Sequence, residues 1–403
     1  YINAINPIEI IETGKKINIQ GKSNVLLIDD EADKGWSVFY NSFFEFSPSV
    51  NFSSLEIDFK GLSQNEVIEE AKKKVKDFKA DVVLLDLRLC DADFQENILP
   101  DNLSGIKILN EIKEFNRGIQ VIITTASDKV WNYRASNKAN GYIIKSRSSE
   151  VSADMKHLYF TIEKSINKSK ILIPIYKSFE LIKSYSYDLS DNFISNLNKN
   201  LSICFDLLEK SFDVESEKHI NYAYLQLYLI IEEFIKEENI FEEGQEVFVK
   251  SLSKEICVAK RENSNDDNKD NIECAITLTK NGKYEINKSS FTVSRKFRFD
   301  TNFIVSSILI FKYGNTNSSV KKWTSIYQIR NGKAAHAHIS KKQENSYVTF
   351  DEFKTLVEFL EYFLDNNNES ANNIEKGLKA STLNESLEKA LIDPRFKRKK
   401  KNF

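Results

Sequence analysis

Four groups of polar residues carry the chemistry of the N-terminal third, and each follows a short apolar run. Asp29-Asp30-Glu31 follow 25–28, Asp86 follows 81–85, Thr124, Thr125 and Ser127 follow 121–123, and Lys145 follows 141–144. Two or three carboxylates gathered on one rim repel each other and do not all ionise cheaply without a cation. Hard oxygen ligands with open positions suit Mg2+. A lysine and a hydroxyl facing the same spot would bind an incoming phosphoryl oxygen, so the set points to phosphoryl transfer onto a carboxylate. A second group lies near the C-terminus, in Arg330-Asn331-Gly332-Lys333-Ala334-Ala335-His336-Ala337-His338. The chain has four histidines, and His336 and His338 fall here, away from His157 and His219. Histidine suits acid–base work near neutrality, and arginine grips phosphate with a rigid fork of donors. An Arg330–His336 pair converging on a phosphodiester could cleave RNA without metal, with the 2′-hydroxyl as internal nucleophile.

The runs ahead of the first group are continuously apolar rather than alternating, the pattern of strands buried on both faces of a parallel sheet. Helical periodicity separates them at 65–78 and 105–115. Alternating strand and helix predict a doubly wound α/β domain over about 24–147, with its ligand beyond the carboxyl ends of the strands. From 151 the pattern turns helical, at 154–170, 173–184, 192–211 and 220–238, with apolar residues at three- and four-residue spacing. Residues 261–271 read as a polar loop, and 274–279 and 284–293 flank Lys280-Asn281-Gly282 as a β-hairpin insertion. Helices resume at 301–313, 320–330 and 350–365, and an amphipathic stretch at 374–391 leads into a basic tail. No proline lies between Pro174 and Pro394, which suits long helices.

Residues 24–147 resemble the receiver domain of two-component response regulators, through VLLIDDE (25–31), DVVLLDLRL (81–89), IITTAS (122–127) and GYIIKS (141–146). The resemblance implies a flavodoxin-like parallel sheet with Asp86 as phospho-acceptor and Asp29, Asp30 and Asp86 as Mg2+ ligands. It implies Thr125, followed by Ala126, as switch hydroxyl, Lys145 as phosphate-pairing lysine and Tyr142 as switch aromatic. The partner it implies is a histidine kinase or other phosphodonor protein. Two departures stand out. Ser146 replaces the usual proline, and Gly105 comes 19 positions after Asp86. The long loop 90–103, with Asp91, Asp93, Glu96 and Asp101, would shield the pocket or form a partner surface.

The Arg330 segment resembles the Arg-x(4–6)-His motif of HEPN-domain proteins, with Asn331 directly after the arginine. That resemblance implies a homodimer whose two motifs share one cleft and cleave RNA without metal. Arg330, Asn331 and His336 would be catalytic, and Lys333 and His338 auxiliary or RNA-contacting. The competing interpretation is a helix C-terminus whose Arg, Asn-Gly and His cap carbonyls and face the dipole.

The expected organisation is an extension at 1–22, a receiver at 23–150, a helical connector at 151–211, a HEPN-like domain at 212–368, and a helix with basic tail at 369–403. Function would be a response regulator whose receiver controls a HEPN-type endoribonuclease in stress or phage defence. The alternative is a non-catalytic phospho-signalling adaptor. A DNA-binding regulator ranks last, because no helix-turn-helix with a basic recognition helix is visible.

At 403 residues the chain suits two or three domains, and 41 % apolar residues exclude global disorder. No run of 18 apolar residues suggests a membrane span. Residues 1–22 lack the apolar core of a signal peptide, and the absence of an initial Met suggests trimming. Cys90, Cys204, Cys257 and Cys274 form no CxxC pair, which argues against a zinc ribbon or disulfide scaffold and for a reducing cytoplasm. Gly21-Lys22-Ser23 precedes a strand, so it is not a P-loop. The net charge of −2 is a cancellation: 23–150 holds 16 Lys and Arg against 21 Asp and Glu, and 391–403 holds six against one. An RNA-facing role therefore stays open.

Overall fold

Residues buried on both faces of a sheet need no polar side to their strand, and the first, third and fourth strands follow that rule. The computed structural model describes residues 21–95, 98–125, 139–145, 151–185, 189–212, 218–237, 240–243, 246–250, 255–263, 269–278, 284–294, 301–309, 318–335 and 347–374. Strands β1 (Ser23–Ile28), β2 (Val50–Ser54), β3 (Val82–Leu85), β4 (Gln120–Thr125) and β5 (Gly141–Ile144) form one sheet in the order β2-β1-β3-β4-β5. Every pairing is parallel, with Val25 opposite Val82 and Ile122 opposite Gly141. This is the flavodoxin-like 2-1-3-4-5 order, whose ligand crevice lies beyond the carboxyl ends of β1 and β3.

Alternate residues of each strand feed two cores. Leu26, Ile28, Val83, Leu85, Val121 and Ile123 pack under helices α2 (Gln64–Phe78) and α3 (Ser104–Phe115). Val25, Leu27, Val82, Leu84 and Ile122 pack under Phe39, Tyr40 and Phe43 of α1 (Trp36–Phe44) and Met155, Leu158, Ile162 and Ile166 of α4 (Val151–Ser184). Each fully buried aliphatic side chain contributes about 1.5–3 kcal/mol. Ser63 caps α2 reciprocally with Glu66. Neither β2 nor α1 is among the elements expected from the sequence. β2 is an edge strand of sequence VNFSS, mostly half-buried, so it lacks the apolar run of its neighbours.

The chain divides into two compact units, 1–177 and 178–403, with the boundary inside α4. The sequence suggests a break near Pro174, yet α4 runs through it. A tertiary contact within the first unit accompanies the continuity. A Cβ on Gly118 would lie 2.4 Å from the Ile173 nitrogen, and Asn116 Nδ2 donates to the Ile173 carbonyl at 3.4 Å.

The second unit contains the end of α4 and helices α5 (Asp191–Lys210), α6 (Lys218–Glu237), α7 (Thr301–Ser307), α8 (Ser318–Ile329) and α9 (Phe350–Ile374). Its core carries an aromatic column: Tyr228 stacks on Trp323 at 5.7 Å, Trp323 on Phe359 at 5.4 Å, and Phe359 on Phe363 at 5.4 Å. Tyr224, Tyr228 and Phe234 of α6 are buried, and Tyr222 is exposed. The hairpin expected around 280–282 becomes part of a larger sheet. Strands β6 (Ile240–Glu243), β7 (Glu246–Lys250), β8 (Glu255–Asn263), β9 (Lys269–Leu278) and β10 (Tyr284–Ser294) form an antiparallel meander. The polar residues 261–263 and 269–271 belong to β8 and β9, because ladder pairing uses backbone groups whatever the side chain. Lys260 stands opposite Glu273 in the β8–β9 register. Residues 375–403, with the basic tail, lie outside the described residues, as do 1–20. Among the described residues no helix is long and apolar enough to cross a membrane.

Candidate functional site

The β1 and β3 exits bring together the acidic residues that the sequence holds 57 positions apart. Asp29, Asp30 and Asp86 each offer a carboxylate oxygen, all within 4.8 Å of one another. Asp29 is fully buried, and its Oδ1 accepts from the Glu31 N–H at 2.9 Å. Asp86 Oδ1 accepts from the Leu87 N–H at 2.6 Å. Lys145, just past β5, reaches across: its Nζ pairs with Asp29 Oδ2 at 2.8 Å and also with Asp86 Oδ2. One ammonium thus serves two carboxylates, while no ion pair reaches Asp30 among the described residues.

The electrostatics follow from that imbalance. Burial pushes the Asp86 carboxyl up, Lys145 pulls it down, and the Asp29 charge adds to the rise. Burial opposes the Lys145 ammonium, but the Asp86 and Asp29 carboxylates outweigh it and hold the lysine above its ordinary range. Burial, then the Asp86, Asp29 and Glu31 charges, push Asp30 up to about 6, against a downward pull from Lys145. Three hard oxygens with uncompensated charge fit a divalent cation such as Mg2+.

A pH prediction follows from Asp30. Its folded carboxyl, pushed from 3.8 to about 6, keeps a proton that the unfolded chain has lost. Stability therefore falls as pH rises through that window. Asp30 is only half-buried, so screening by solvent reduces the effect. Without divalent cation, Asp30→Asn should gain about 1 kcal/mol at pH 7 and almost nothing at pH 3.5. Urea unfolding at the two pH values reads this, and equal gains at both would refute the assignment.

The long loop after Asp86 is organised from within. Asp93, fully buried, accepts from the Leu89 N–H at 2.8 Å, the Cys90 N–H at 3.2 Å, the Ser104 N–H at 2.9 Å and Gln64 Nε2 at 3.1 Å. The Cys90 thiol and the Ser104 hydroxyl donate to it as well. Its charge is thus spent inside the loop. At the far end, Gly105 lets α3 meet the exit of β3: a Cβ there would lie 2.2 Å from the Asp86 carbonyl oxygen. Cys90 is buried, and burial, then Asp93, push its thiol up, which makes it a poor nucleophile.

Two pocket neighbours were not legible in the sequence. The Lys145 ammonium lies 5.4 Å from the Trp36 ring centroid. Tyr40 is fully buried in the sheet core, and burial, then the Asp29 and Asp86 charges, raise its hydroxyl. Of the remaining expected residues, Thr125 ends β4, but its side chain, with Ala126, Ser127 and Ser146, lies outside the described residues. Tyr142 is half-buried against the α2–α3 core, and its carbonyl accepts from His157 Nε2 at 3.2 Å.

In the second unit, Arg330–Ala334 forms a π-helical turn directly after α8. The Arg330 guanidinium sits 5.3 Å from the Tyr228 ring centroid, capping the aromatic column. It donates from Nη1 to Asn331 Oδ1 at 2.9 Å, and Nη2 lies 3.9 Å from Glu232 Oε1. Lys333 pairs with Glu352 at 2.6 Å. Burial opposes the Glu352 charge, but Lys333 and the Thr349 N–H outweigh it and lower the carboxyl. Buried Asn221 donates to the Lys333 carbonyl at 3.3 Å and accepts from the Val348 N–H at 2.8 Å. His336 and His338 lie outside the described residues.

No protein-family model matches the chain, and no curated protein matches it. Among solved structures, the chain is similar to the signal receiver domain of a modulated diguanylate cyclase from Desulfovibrio desulfuricans G20. The two are 19 % identical over 37 % of this chain and 98 % of that one, with a TM-score of 0.26. The strand order, the all-parallel register and the helices on both faces stand independently of that likeness. By these features the N-terminal unit has a flavodoxin-like, doubly wound α/β fold.

Proposed function

We propose that the N-terminal unit is a phosphorylatable receiver and that it controls the unit that follows. The observation that carries this reading is the cluster of Asp29, Asp30, Asp86 and Lys145 at the carboxyl edge of the sheet. Asp29, Asp30 and Asp86 would hold Mg2+, which when bound lowers the repulsion between a carboxylate and an incoming phosphoryl group. An Asp86 oxygen forms the new bond to phosphorus. The P–N bond of a phosphohistidine donor breaks, and its electron pair leaves with the imidazole. Lys145 neutralises the transferred oxygens, Thr125 supplies a hydroxyl to one of them, and Tyr142 responds to that shift. Labelling of the full chain by acetyl phosphate with Mg2+ tests this half. A wild-type chain that takes no label would sink it.

The second unit is the effector in this reading, a HEPN-like domain acting as a homodimer on RNA. Arg330, Asn331 and His336 would form the metal-free cleavage site, with Lys333 and His338 contacting RNA. Support comes from Arg330 and Asn331 sharing a turn at the end of a helix within a helix-rich unit. A second reading, the non-catalytic adaptor, is favoured by one observation. Both basic residues of the turn are engaged within the chain, Arg330 by Glu232 and Tyr228 and Lys333 by Glu352. RNA incubation separates them. A nuclease should cleave in EDTA and lose at least about 100-fold in rate on Arg330→Ala or His336→Ala, the scale of removing a catalytic acid–base group. Intact RNA with a verified dimer would favour the adaptor.

A further inference from the structure

The Lys145 ammonium stands where it competes with any divalent cation, since it already pairs with two of the three carboxylates, Asp29 and Asp86. A lysine stem is flexible and its ammonium is a point charge, so two carboxylates alone would draw it fully between them. A third attraction acts on the same atom. The Trp36 ring centroid lies 5.4 Å from Nζ, within the reach of a cation–π contact, and indole is the strongest partner for one.

The ring is itself held in place. It stands edge-on to Phe39 at 5.9 Å and tilted against Tyr40 at 6.5 Å, and both of those residues belong to the sheet core. Gly35, with φ of +116°, turns the chain between the acidic loop and α1, so α1 begins at Trp36. A side chain at position 35 would strain that turn. The acidic pair and the ring therefore sit on one short connection, and the lysine meets both from the far edge of the sheet.

We propose that Trp36 is a positioning residue of the pocket: its face holds the Lys145 ammonium against the pull of the Asp29–Asp86 pair, and so eases access of a divalent cation to the carboxylates. The cation part rests on the receiver reading of this pocket, and the Trp36–Lys145 contact does not.

Two measurements on the full chain test it. Without metal, Lys145→Met should change the tryptophan emission, and the change should vanish when Trp36 is first replaced by Phe. In calorimetric Mg2+ titrations, Trp36→Leu, which keeps bulk but no π face, should weaken binding about three- to ten-fold. Trp36→Phe should restore most of the affinity. In a Lys145→Met background Trp36→Leu should change nothing, because the ring acts through the lysine. An unaltered emission, or an equal loss of affinity with and without Lys145, overturns the proposal. An emission change on Lys145→Met together with no Mg2+ binding by the wild-type chain supports the contact and sinks the receiver reading instead, so the two failures are distinct.

Discussion

Asp86→Asn is expected to abolish labelling by a small phosphodonor while leaving the N-terminal unit folded. The reasoning starts from shape. Asparagine matches aspartate in size, and its carbonyl oxygen can still accept the Leu87 N–H that Asp86 Oδ1 accepts at 2.6 Å. An amide nitrogen in place of Oδ2 cannot attack phosphorus and faces the Lys145 ammonium, which then keeps only Asp29. One of three candidate cation ligands is lost as well, so Mg2+ binding should fall about ten-fold or more. Stability should change little or rise, because burial already disfavours the Asp86 charge. Mass spectrometry after acetyl phosphate treatment gives the labelling result, and calorimetry gives the affinity. Equal labelling of wild type and variant would move the acceptor to another carboxylate, with Asp30 the first to test.

That site was largely legible because each of its members ends a strand. A run such as Val82–Leu85, buried on both faces, marks its own end by the first charged residue, and that residue is Asp86. The same logic marks Asp29 and Lys145. It fails for Trp36, which ends no run and meets Lys145 across 109 positions of sequence through tertiary packing alone. It fails for β2, whose Asn and Ser residues tolerate the partial exposure of a sheet edge. The break expected at 171–172 is absent for a related reason. The apolar spacing reads as two helices, and the packing of Gly118 and Asn116 against Leu172 and Ile173 is invisible in that local pattern. Of the five-stranded second sheet only one hairpin is legible, because the Asn-Gly turn is a local signal and the other strands carry mixed charge. In the second unit the three- and four-residue apolar spacing at 220–238 does correspond to a helix, and Tyr224, Tyr228 and Phe234 on it are buried. The intrachain partners of Arg330, Glu232 and Tyr228, come from a helix about 100 positions earlier, so no motif could show them.

The loop after Asp86 gives the second large effect. Its four acidic residues suggested a negative shield, but Asp93 is fully buried and takes six donors, from Leu89, Cys90, Ser104 and Gln64. Leu89 and Cys90 lie beyond β3, Ser104 begins α3 and Gln64 begins α2, so one carboxylate closes the loop. Asp93→Ala leaves buried N–H groups without an acceptor, each costing about 1–3 kcal/mol, and water entering the gap would recover part of this. A net loss of about 3–5 kcal/mol is expected, the range for breaking a buried charged network. For a unit of this size that lowers its melting transition by about 6–20 °C. Asp93→Asn keeps the shape and one acceptor, so it should cost about half as much. The damage should also reach the pocket, because Gly105 packs on the Asp86 backbone only while Ser104 is tethered. Labelling of Asp86 should therefore slow in Asp93→Asn without disappearing, in contrast to Asp86→Asn. A melting transition within 2 °C of wild type for Asp93→Ala would show that the loop is held by its apolar contacts, Leu89, Cys90 and Leu103 in the α2–α3 core, rather than by the carboxylate.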